Sequence, residues 1–424
     1  MTIPSVKGFR DVLPADAARR RLLLDAAVRV LEQYGYQPLE VPLLERGELF
    51  QRSVGATTDI VEKEMYSFED RDGTLVALRP EGTASVVRAY VEAGLARSMP
   101  VAKFYYHGPM FRRERPQKGR LRQFTQIGAE LFGRADPEAD AETLCLVADL
   151  CEAAGLAGAR IRVNSLGDEV CRPKYRESLV AFGRARIERL CRDCRERLER
   201  NPLRLLDCKA EQCREATADA PVMIDYLCGD CRHHHDRVLE LVAAQGVELE
   251  IEPRMVRGLD YYCRTAFEVS AAGLGAQDAV GGGGRYDGLV EQLGGPSVPG
   301  IGFAFGLERM ELAAEIAETP PATRLFVAPI GEAAAGAALS LARRLRRAGV
   351  GVELGSSAKR LKAHLKRAAK DGIRHLVIVG DDELASGVAT VRDLEVGRDM
   401  PGCFRLDAPA AEILAALERK GESA

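Results

Sequence analysis

Over the first 170 residues, short apolar runs alternate with polar turns in a rhythm that switches between helical and extended periods. The pattern predicts a helix over 15–34, a strand over 37–42, a strand over 75–79 and a helix near 81–97. Two runs, Phe104-Tyr105-Tyr106 and Phe124-Thr125-Gln126-Ile127, flank a polar tip and predict a hairpin. From about Cys171 to Gln245 the strand signal vanishes. Long helical segments rich in Arg, Glu and Cys replace it, which is how an insertion reads. Strand and glycine signals resume over 248–309. The run Glu318-Thr319-Pro320-Pro321-Ala322-Thr323 predicts a linker, because consecutive prolines cannot continue a helix. Beyond it, strands at 325–330, 350–354 and 375–379 alternate with helices at 331–348 and 358–370, followed by a further strand and a terminal helix over 410–420. That βαβ alternation predicts a small, largely parallel sheet.

Composition adds bounds to this plan. A chain of 424 residues, 46% hydrophobic and 29% charged, is long enough for two or three domains. Its formal net charge of -3 supplies no global attraction for nucleic acid, so a polyanionic partner must meet local basic patches. Between Arg343 and Arg374 there are eleven Lys or Arg against two acids, which predicts such a patch around Arg343, Arg344, Lys359, Arg360, Lys366 and Arg367. A solvated helix face is the plainer reading of the same charges. No stretch approaches the roughly 20 apolar residues of a membrane span, and a cytoplasmic protein is expected.

The densest chemistry lies at the hairpin tip, where Arg112-Arg113-Glu114-Arg115-Pro116-Gln117-Lys118-Gly119-Arg120-Leu121-Arg122 carries six basic residues and one acid. Arginine's planar fork binds two phosphate oxygens at once, so the loop is suited to polyphosphate. The chain has no Gly-x-x-x-x-Gly-Lys-Ser/Thr phosphate loop, and Gly281-Gly282-Gly283-Gly284 lacks dinucleotide-fingerprint spacing. The glycine run is expected to form a tight turn or to let backbone approach a ligand closely. Arg112, Arg257 and Arg309 each sit beside apolar or glycine-rich sequence. Three arginines in a partly dry cleft need an anion to offset their desolvation, although any one of them could serve a structural ion pair.

The chain resembles the class II aminoacyl-tRNA synthetases, and among them the histidyl-tRNA synthetase family. Leu39-Glu40-Val41-Pro42-Leu43-Leu44-Glu45 is similar to motif 1, Phe111-Arg112-Arg113-Glu114 through Glu130 to motif 2, and Gly300-Ile301-Gly302-Phe303-Ala304-Phe305-Gly306-Leu307-Glu308-Arg309 to motif 3. Arg257-Gly258-Leu259-Asp260-Tyr261-Tyr262 resembles the peptide particular to the histidine enzymes. Arg79-Pro80-Glu81-Gly82-Thr83 and the opening Lys7-Gly8-Phe9-Arg10-Asp11-Val12-Leu13-Pro14 support it. The resemblance implies an α+β fold: a six-stranded antiparallel sheet flanked by helices, carrying a helical insertion at about 171–245, in a catalytic domain over 1–324. An α/β anticodon-binding domain over 325–424 follows. It also implies a homodimer with motif 1 at the interface, and L-histidine, ATP with Mg²⁺, and the histidine tRNA as partners. The regulatory relatives of the family, which do not charge tRNA, typically lack the C-terminal domain and degrade the histidine peptide; both are intact here.

Carried over by resemblance, Glu81 and Thr83 would hold the ammonium of histidine, Gln126 and Arg257 its carboxylate, and Glu130 with Tyr262 its imidazole nitrogens. Tyr261 belongs to the same set. Tyr286 is read either as a core aromatic or as a wall of that pocket. Arg112 would take the α-phosphate, Arg309 the γ-phosphate and Phe124 the adenine ring, with Glu114 near the adenine or ribose edge. Arg257 and Arg112 would be the catalytic groups, and no protein-held metal is assigned to the site. Apart from the resemblance, Asp260 is close enough in sequence to Arg257 to be expected to orient its guanidinium. His107 is expected to be a packed strand residue.

The insertion poses a separate question. Cys191-x-x-Cys194 and Cys228-x-x-Cys231, with Cys208 and Cys213 between them and His233-His234-His235 after them, have the signature of a tetrahedral thiolate zinc site. Against this, the family it resembles does not require a metal in this region, and free cysteines pack well as small apolar residues. Both readings stand open.

Overall fold

The computed structural model describes residues 3–55, 58–274, 278–315 and 324–419, which fall into two compact units, Met1–Ile316 and Ala317–Ala424. The sequence-predicted linker lies outside the described residues.

Unit 1 opens with α1 (Pro14–Gln33), then β1 (Gln37–Pro38), β2 (Leu44–Arg46), α2 (Gly47–Ser53), β3 (Tyr66–Glu69), β4 (Leu75–Leu78), α3 (Thr83–Glu92) and α4 (Leu95–Ser98). The hairpin follows as β5 (Ala102–Phe111) and β6 (Gln123–Phe132), then α5 (Pro137–Ala153) and β7 (Arg160–Ser165). Asp136 caps α5 by accepting the Ala139 N–H at 3.1 Å, and Pro137 stands where its missing donor costs nothing. The helices α6 (Arg172–Arg184), α7 (Arg192–Arg200), α8 (Glu211–Ala216) and α9 (Gly229–Ala244) separate β7 from β8 (Leu249–Ile251). β9 (Cys263–Ser270), β10 (Ala279–Arg285), α10 (Leu289–Gln292), β11 (Gly300–Gly306) and α11 (Leu307–Ala313) complete the unit.

The main sheet has the order β1-β5-β6-β11-β10-β9-β7-β8. Its six inner strands are antiparallel, and short parallel strands are added at each edge. The expected six-stranded sheet is thus the interior of an eight-stranded one. Leu44–Arg46 leaves this sheet: the predicted 37–42 strand stops at Pro38, and β2 pairs with β4 in a small sheet of order β2-β4-β3. The glycine run is a strand, with Gly281 to Gly284 paired on both sides, and not a turn.

Alternation along β6 divides core from site. Ile127, Ala129 and Leu131 enter an apolar cluster with α1, α5, α9 and α11, while Phe124, Gln126, Gly128, Glu130 and Phe132 face the other way. α9 joins the insertion to this core: Cys231 in its first turn packs with Cys171 and Tyr175, while Val238 and Val242 further along enter the main cluster. At the heart of the unit the guanidinium of Arg285, fully buried, grips the equally buried carboxylate of Asp140, which also takes His234 Nε2 at 2.7 Å. Burial acts to raise the Asp140 pKa, but the hydrogen bond from His234 and the charge of Arg285 hold it below its ordinary value.

Unit 2 contains β12 (Arg324–Pro329), α12 (Ala335–Arg347), β13 (Gly351–Leu354), α13 (Leu361–Lys370), β14 (His375–Val379), α14 (Asp381–Ser386), β15 (Val388–Asp393), β16 (Arg398–Arg405) and α15 (Ala410–Arg419). The sheet order is β13-β12-β14-β15-β16, parallel through β14 and antiparallel beyond it. Leu325 and Val327 pack under α12 and α15, whereas Phe326 and Ala328 pack under α13. The two basic helices therefore cover opposite faces of the sheet, which divides the single patch expected from the sequence. Arg344 donates to the Leu406 carbonyl and Arg367 to Asp371, so both are engaged within the fold. Among the described residues no helix is long and apolar enough to cross a membrane.

Candidate active site

A cleft of about 210 Å³ opens on the face of β6, β11, β10 and β9 opposite the main core. Small residues on that face make the room: Gly282 on β10, and Ala304 and Gly306 on β11, line the cleft. A Cβ on Gly282 would stand 2.8 Å from the Arg257 guanidinium, and one on Gly302 would stand 1.7 Å from Glu130 Oε2. The glycines of β10 and motif 3 are therefore clearances for two site residues.

At one end, carboxylates are buried. Glu81 Oε2 accepts the Thr83 N–H at 2.7 Å and Oε1 accepts the Ala84 N–H at 2.9 Å, so the carboxylate caps the first turn of α3. Burial nevertheless raises its pKa above the ordinary value. Behind it, Glu130 is wholly buried. Thr83 Oγ1 donates to Glu130 Oε1 at 2.7 Å, Tyr106 Oη donates to the same oxygen at 3.4 Å, and Tyr286 Oη donates to Oε2. Burial, with the neighbouring Glu81 charge, pushes the Glu130 pKa up to about 8 despite these three donors. Two carboxylates in so dry a place favour a cationic or hydrogen-bond-donating guest. Tyr261 packs edge-on to Tyr286 at 5.8 Å and against Tyr262 at 4.7 Å, closing this end with aromatic rings.

At the other end are the arginines. Arg112 donates through Nε to the Pro80 carbonyl at 2.9 Å and lies 5.2 Å over the Phe124 ring. Arg309, at the start of α11, donates Nε to the Ala279 carbonyl; burial and then the Arg120 charge lower its pKa. Arg120 in turn pairs with Glu114 at 3.1 Å.

Arg257 stands between the two ends. Its Nη1 meets Glu268 Oε2 at 3.2 Å and its guanidinium lies 5.7 Å over the Tyr262 ring. Asp260 does not orient it: that carboxylate accepts the Asn201 side chain at 3.1 Å and crowds Gly55. The orienting acid is Glu268 on β9, which the sequence pattern does not single out. Period-2 alternation in β9 marks Glu268 as a polar residue on the site face, but only the pairing Glu268↔Gly282 brings it to Arg257.

Glu81, Thr83, Gln126, Arg257, Tyr261, Tyr262, Arg112, Glu114, Phe124 and Arg309 all line the cleft, and Glu130 lies beneath it, behind Thr83. Tyr286 joins Glu130 in that lower layer. His107 is on β5 as expected but is exposed and not packed. Gln126 Oε1 and Arg257 Nε are buried with no hydrogen-bond partner among the described residues. A buried donor and a buried acceptor left unpaired are costly, and a ligand carrying both a carboxylate and an ammonium satisfies them. The unpaired Gln126 atom is an acceptor, so in this rotamer it suits an ammonium; a flipped amide would offer its NH₂ to a carboxylate.

In the insertion, the cysteines form two groups and not one. Cys191, Cys194, Cys208 and Cys213 converge in the first, and Cys171, Cys228 and Cys231 converge with Asp168 in the second. His234 is engaged by Asp140, and neither it nor His235 belongs to either group.

Residues 8–310 match the sequence profile of the family described as histidyl-tRNA synthetase, and residues 324–404 match an anticodon binding domain. A histidine–tRNA ligase of Geobacter metallireducens is 51% identical, over 93% of this chain and 96% of that one. One from Trichlorobacter lovleyi is 48% identical across the whole of both chains. The crystal structure of the apo histidyl-tRNA synthetase of S. aureus superposes with a TM-score of 0.80 at 32% identity, over 96% of this chain and 98% of that one.

Proposed function

The chain belongs to the histidyl-tRNA synthetase family, and from that premise we infer that it is an ATP-dependent histidine–tRNA ligase. It activates L-histidine to the adenylate and passes the histidyl group to the 3′ end of the histidine tRNA. The observation that carries this reading is the polarity of one continuous cleft. Glu81 lies at one end with the buried Glu130 beneath it, and Arg112 and Arg309 lie at the other, with Arg257 between them. An amino acid with a cationic ammonium and a donor-bearing ring fits the first end, and a triphosphate fits the second.

In this reading Glu81 and Thr83 receive the ammonium, Gln126 and Arg257 the carboxylate, and Glu130 and Tyr262 the imidazole, with Tyr261 as a wall. Arg112 binds the α-phosphate and Arg309 the γ-phosphate. Adenine stacks on Phe124, with Glu114 at its edge. The histidine carboxylate oxygen attacks the α-phosphorus, the new P–O bond forms as the bond to pyrophosphate breaks, and Arg257 and Arg112 stabilise the charge that grows on the α-phosphate oxygens. A ribose hydroxyl of the tRNA then attacks the carbonyl and AMP leaves. Neither step requires a nucleophilic side chain. Glu114 and Glu268 line the cleft and would offer carboxylate oxygens to a Mg²⁺ ion brought in with the triphosphate. When bound, the ion neutralises phosphate charge.

The units Met1–Ile316 and Ala317–Ala424 would act as the catalytic and anticodon-binding domains, in a cytoplasmic homodimer. The dimer is supported by apolar side chains left exposed on the small sheet next to motif 1, Leu44, Phe68 and Leu75. Histidine-dependent ATP–pyrophosphate exchange and charging of the histidine tRNA test the reading. A purified protein that binds histidine and performs neither reaction would be a regulatory relative instead.

A further inference from the structure

We propose that the insertion holds two separate tetrahedral zinc ions, one on Cys191, Cys194, Cys208 and Cys213 and one on Asp168, Cys171, Cys228 and Cys231. In each group the candidate ligand atoms all lie within 4.8 Å of one another. Cys191 Sγ and Cys208 Sγ are 3.9 Å apart. Four thiolates at about 2.3 Å from one zinc ion define a tetrahedron with edges of about 3.8 Å. A disulfide needs about 2.05 Å, and the seven cysteines of the two groups are free.

The two groups are built alike. Cys191 is the N-cap of α7 and Cys194 its third helical residue; Cys228 is the N-cap of α9 and Cys231 its third helical residue. Each knuckle thus sets two sulfurs over a helix N-terminus, where the dipole favours thiolate. The partner sulfurs are also oriented by backbone donors: the Cys191 N–H points to Cys213 Sγ and the Cys228 N–H to Cys171 Sγ, both at 3.1 Å. Asp168 Oδ1 is fixed by the N–H groups of Val170 and Cys171, and Arg264 stands 3.7 Å from its other oxygen. Arg264 supplies a positive charge beside a cluster that would carry net negative charge with zinc bound.

Packing by itself does not require this arrangement. Cys171, Cys194, Cys213 and Cys231 are buried, and buried thiols can pack singly as small apolar side chains. Convergence of four ligands twice, with the same knuckle geometry each time, is what a metal requires. Sulfur-rich tetrahedral sets suit zinc or iron; the closed, mononuclear geometry and the carboxylate in the second set favour zinc. Binding exchanges thiol protons for the metal ion, with no redox step.

The test is metal analysis of the full-length protein, purified under reductant without chelator, dialysed, and checked for a full complement of free thiols. Two zinc ions per chain are expected. Cys208→Ser and Cys228→Ser should each lower the content to one, and the double variant should lower it to none. Should the variants not fold, the wild-type protein serves. A mercurial thiol reagent should release two equivalents of zinc to a colorimetric chelator, and protein produced with cobalt should show the visible bands of tetrahedral thiolate coordination. No zinc in fully reduced protein overturns both sites, one equivalent overturns the two-site assignment, and iron in place of zinc overturns the choice of metal.

Discussion

The catalytic sheet and the insertion that leaves it after β7 bury reactive groups under different conditions. Beneath the sheet a continuous apolar cluster runs from α1 to α11, and on its other face Glu130 is held by Thr83, Tyr106 and Tyr286. The insertion has two clusters of six buried side chains each, and four of those twelve are cysteines. The sheet has enough apolar burial to support a carboxylate chamber, while the insertion lacks such a reserve and needs cross-links of another kind. The two are nonetheless joined: Arg172, at the start of α6, donates to the carbonyls of Leu166 and Tyr262, and Asn201 reaches Asp260 in the histidine peptide.

The comparison breaks most violently at the buried ion pair of the sheet. Asp140→Ala removes the one buried carboxylate that Arg285 and His234 share and leaves Arg285 only the less buried Asp287 as an acidic partner, and the expected loss is about 3–5 kcal/mol of unfolding free energy. Equilibrium denaturation reads it; a loss below about 1 kcal/mol would mean that the pair is not needed to hold the sheet to α5 and α9.

Next in size is a purely chemical effect. Arg257→Lys keeps the charge but not the fork that meets Glu268, and it should slow single-turnover adenylate formation at saturating histidine by about 10²–10³. Zinc content in the insertion should not change. A near-normal rate with a raised KM would return Arg257 to a binding role.

The pH dependence of stability is expected to carry the mark of Glu130. Its pKa rises from an ordinary 4.5 to about 8 in the folded protein, chiefly through burial. Between those values the folded state holds a proton that the unfolded chain has lost. Its stabilising contribution is therefore complete below about pH 4.5 and is lost as pH rises through about 8, with a slope of at most about 1.4 kcal/mol per pH unit. Glu130→Gln should flatten that part of the stability–pH curve, as measured by denaturant midpoints. Parallel curves for the two proteins would show that Glu130 is ionised throughout.

The smallest expected effect lies in unit 2. Replacing Lys359, Arg360 and Lys366 by Ala should reduce the salt dependence of tRNA binding by about 0.7–0.9 in log–log slope for each phosphate that is no longer neutralised. The same change made at Arg343 and Arg347 of α12, on the other face of the sheet, provides the contrast. Equal effects from both sets would mean that neither face is the docking face.

The sequence exposes those parts of the site that local pattern can mark. Arg112, Arg257 and Arg309 stand out as cations beside apolar sequence, and the structure brings all three to one cleft. Glu268 escapes notice because nothing local distinguishes a strand glutamate that faces a cleft from one that faces solvent; cross-strand register makes that distinction. Asp260 misleads for the converse reason, since adjacency to Arg257 in sequence says nothing about where a loop side chain turns. The hairpin β15–β16 does not separate into its two strands in the sequence pattern because Arg398–Arg405 contains Pro401 and Gly402, which weaken any extended signal.

What the chain by itself determined was periodicity, punctuation and family: the strands of the catalytic sheet, the boundaries set by glycine and proline, the helical character of the insertion and the motif set. Those are properties of neighbours along the chain, and short-range sterics and burial patterns write them directly into the order of residues. Tertiary structure decided what depends on long-range closure. It tied the later turns of α9 to the main core, divided the basic helices between two faces, and sorted seven cysteines and one aspartate into two tetrads. Cys191 meets Cys208 and Cys228 meets Cys171 because folding the helices brings those sulfurs together, and spacing in sequence does not specify which knuckle closes on which pair.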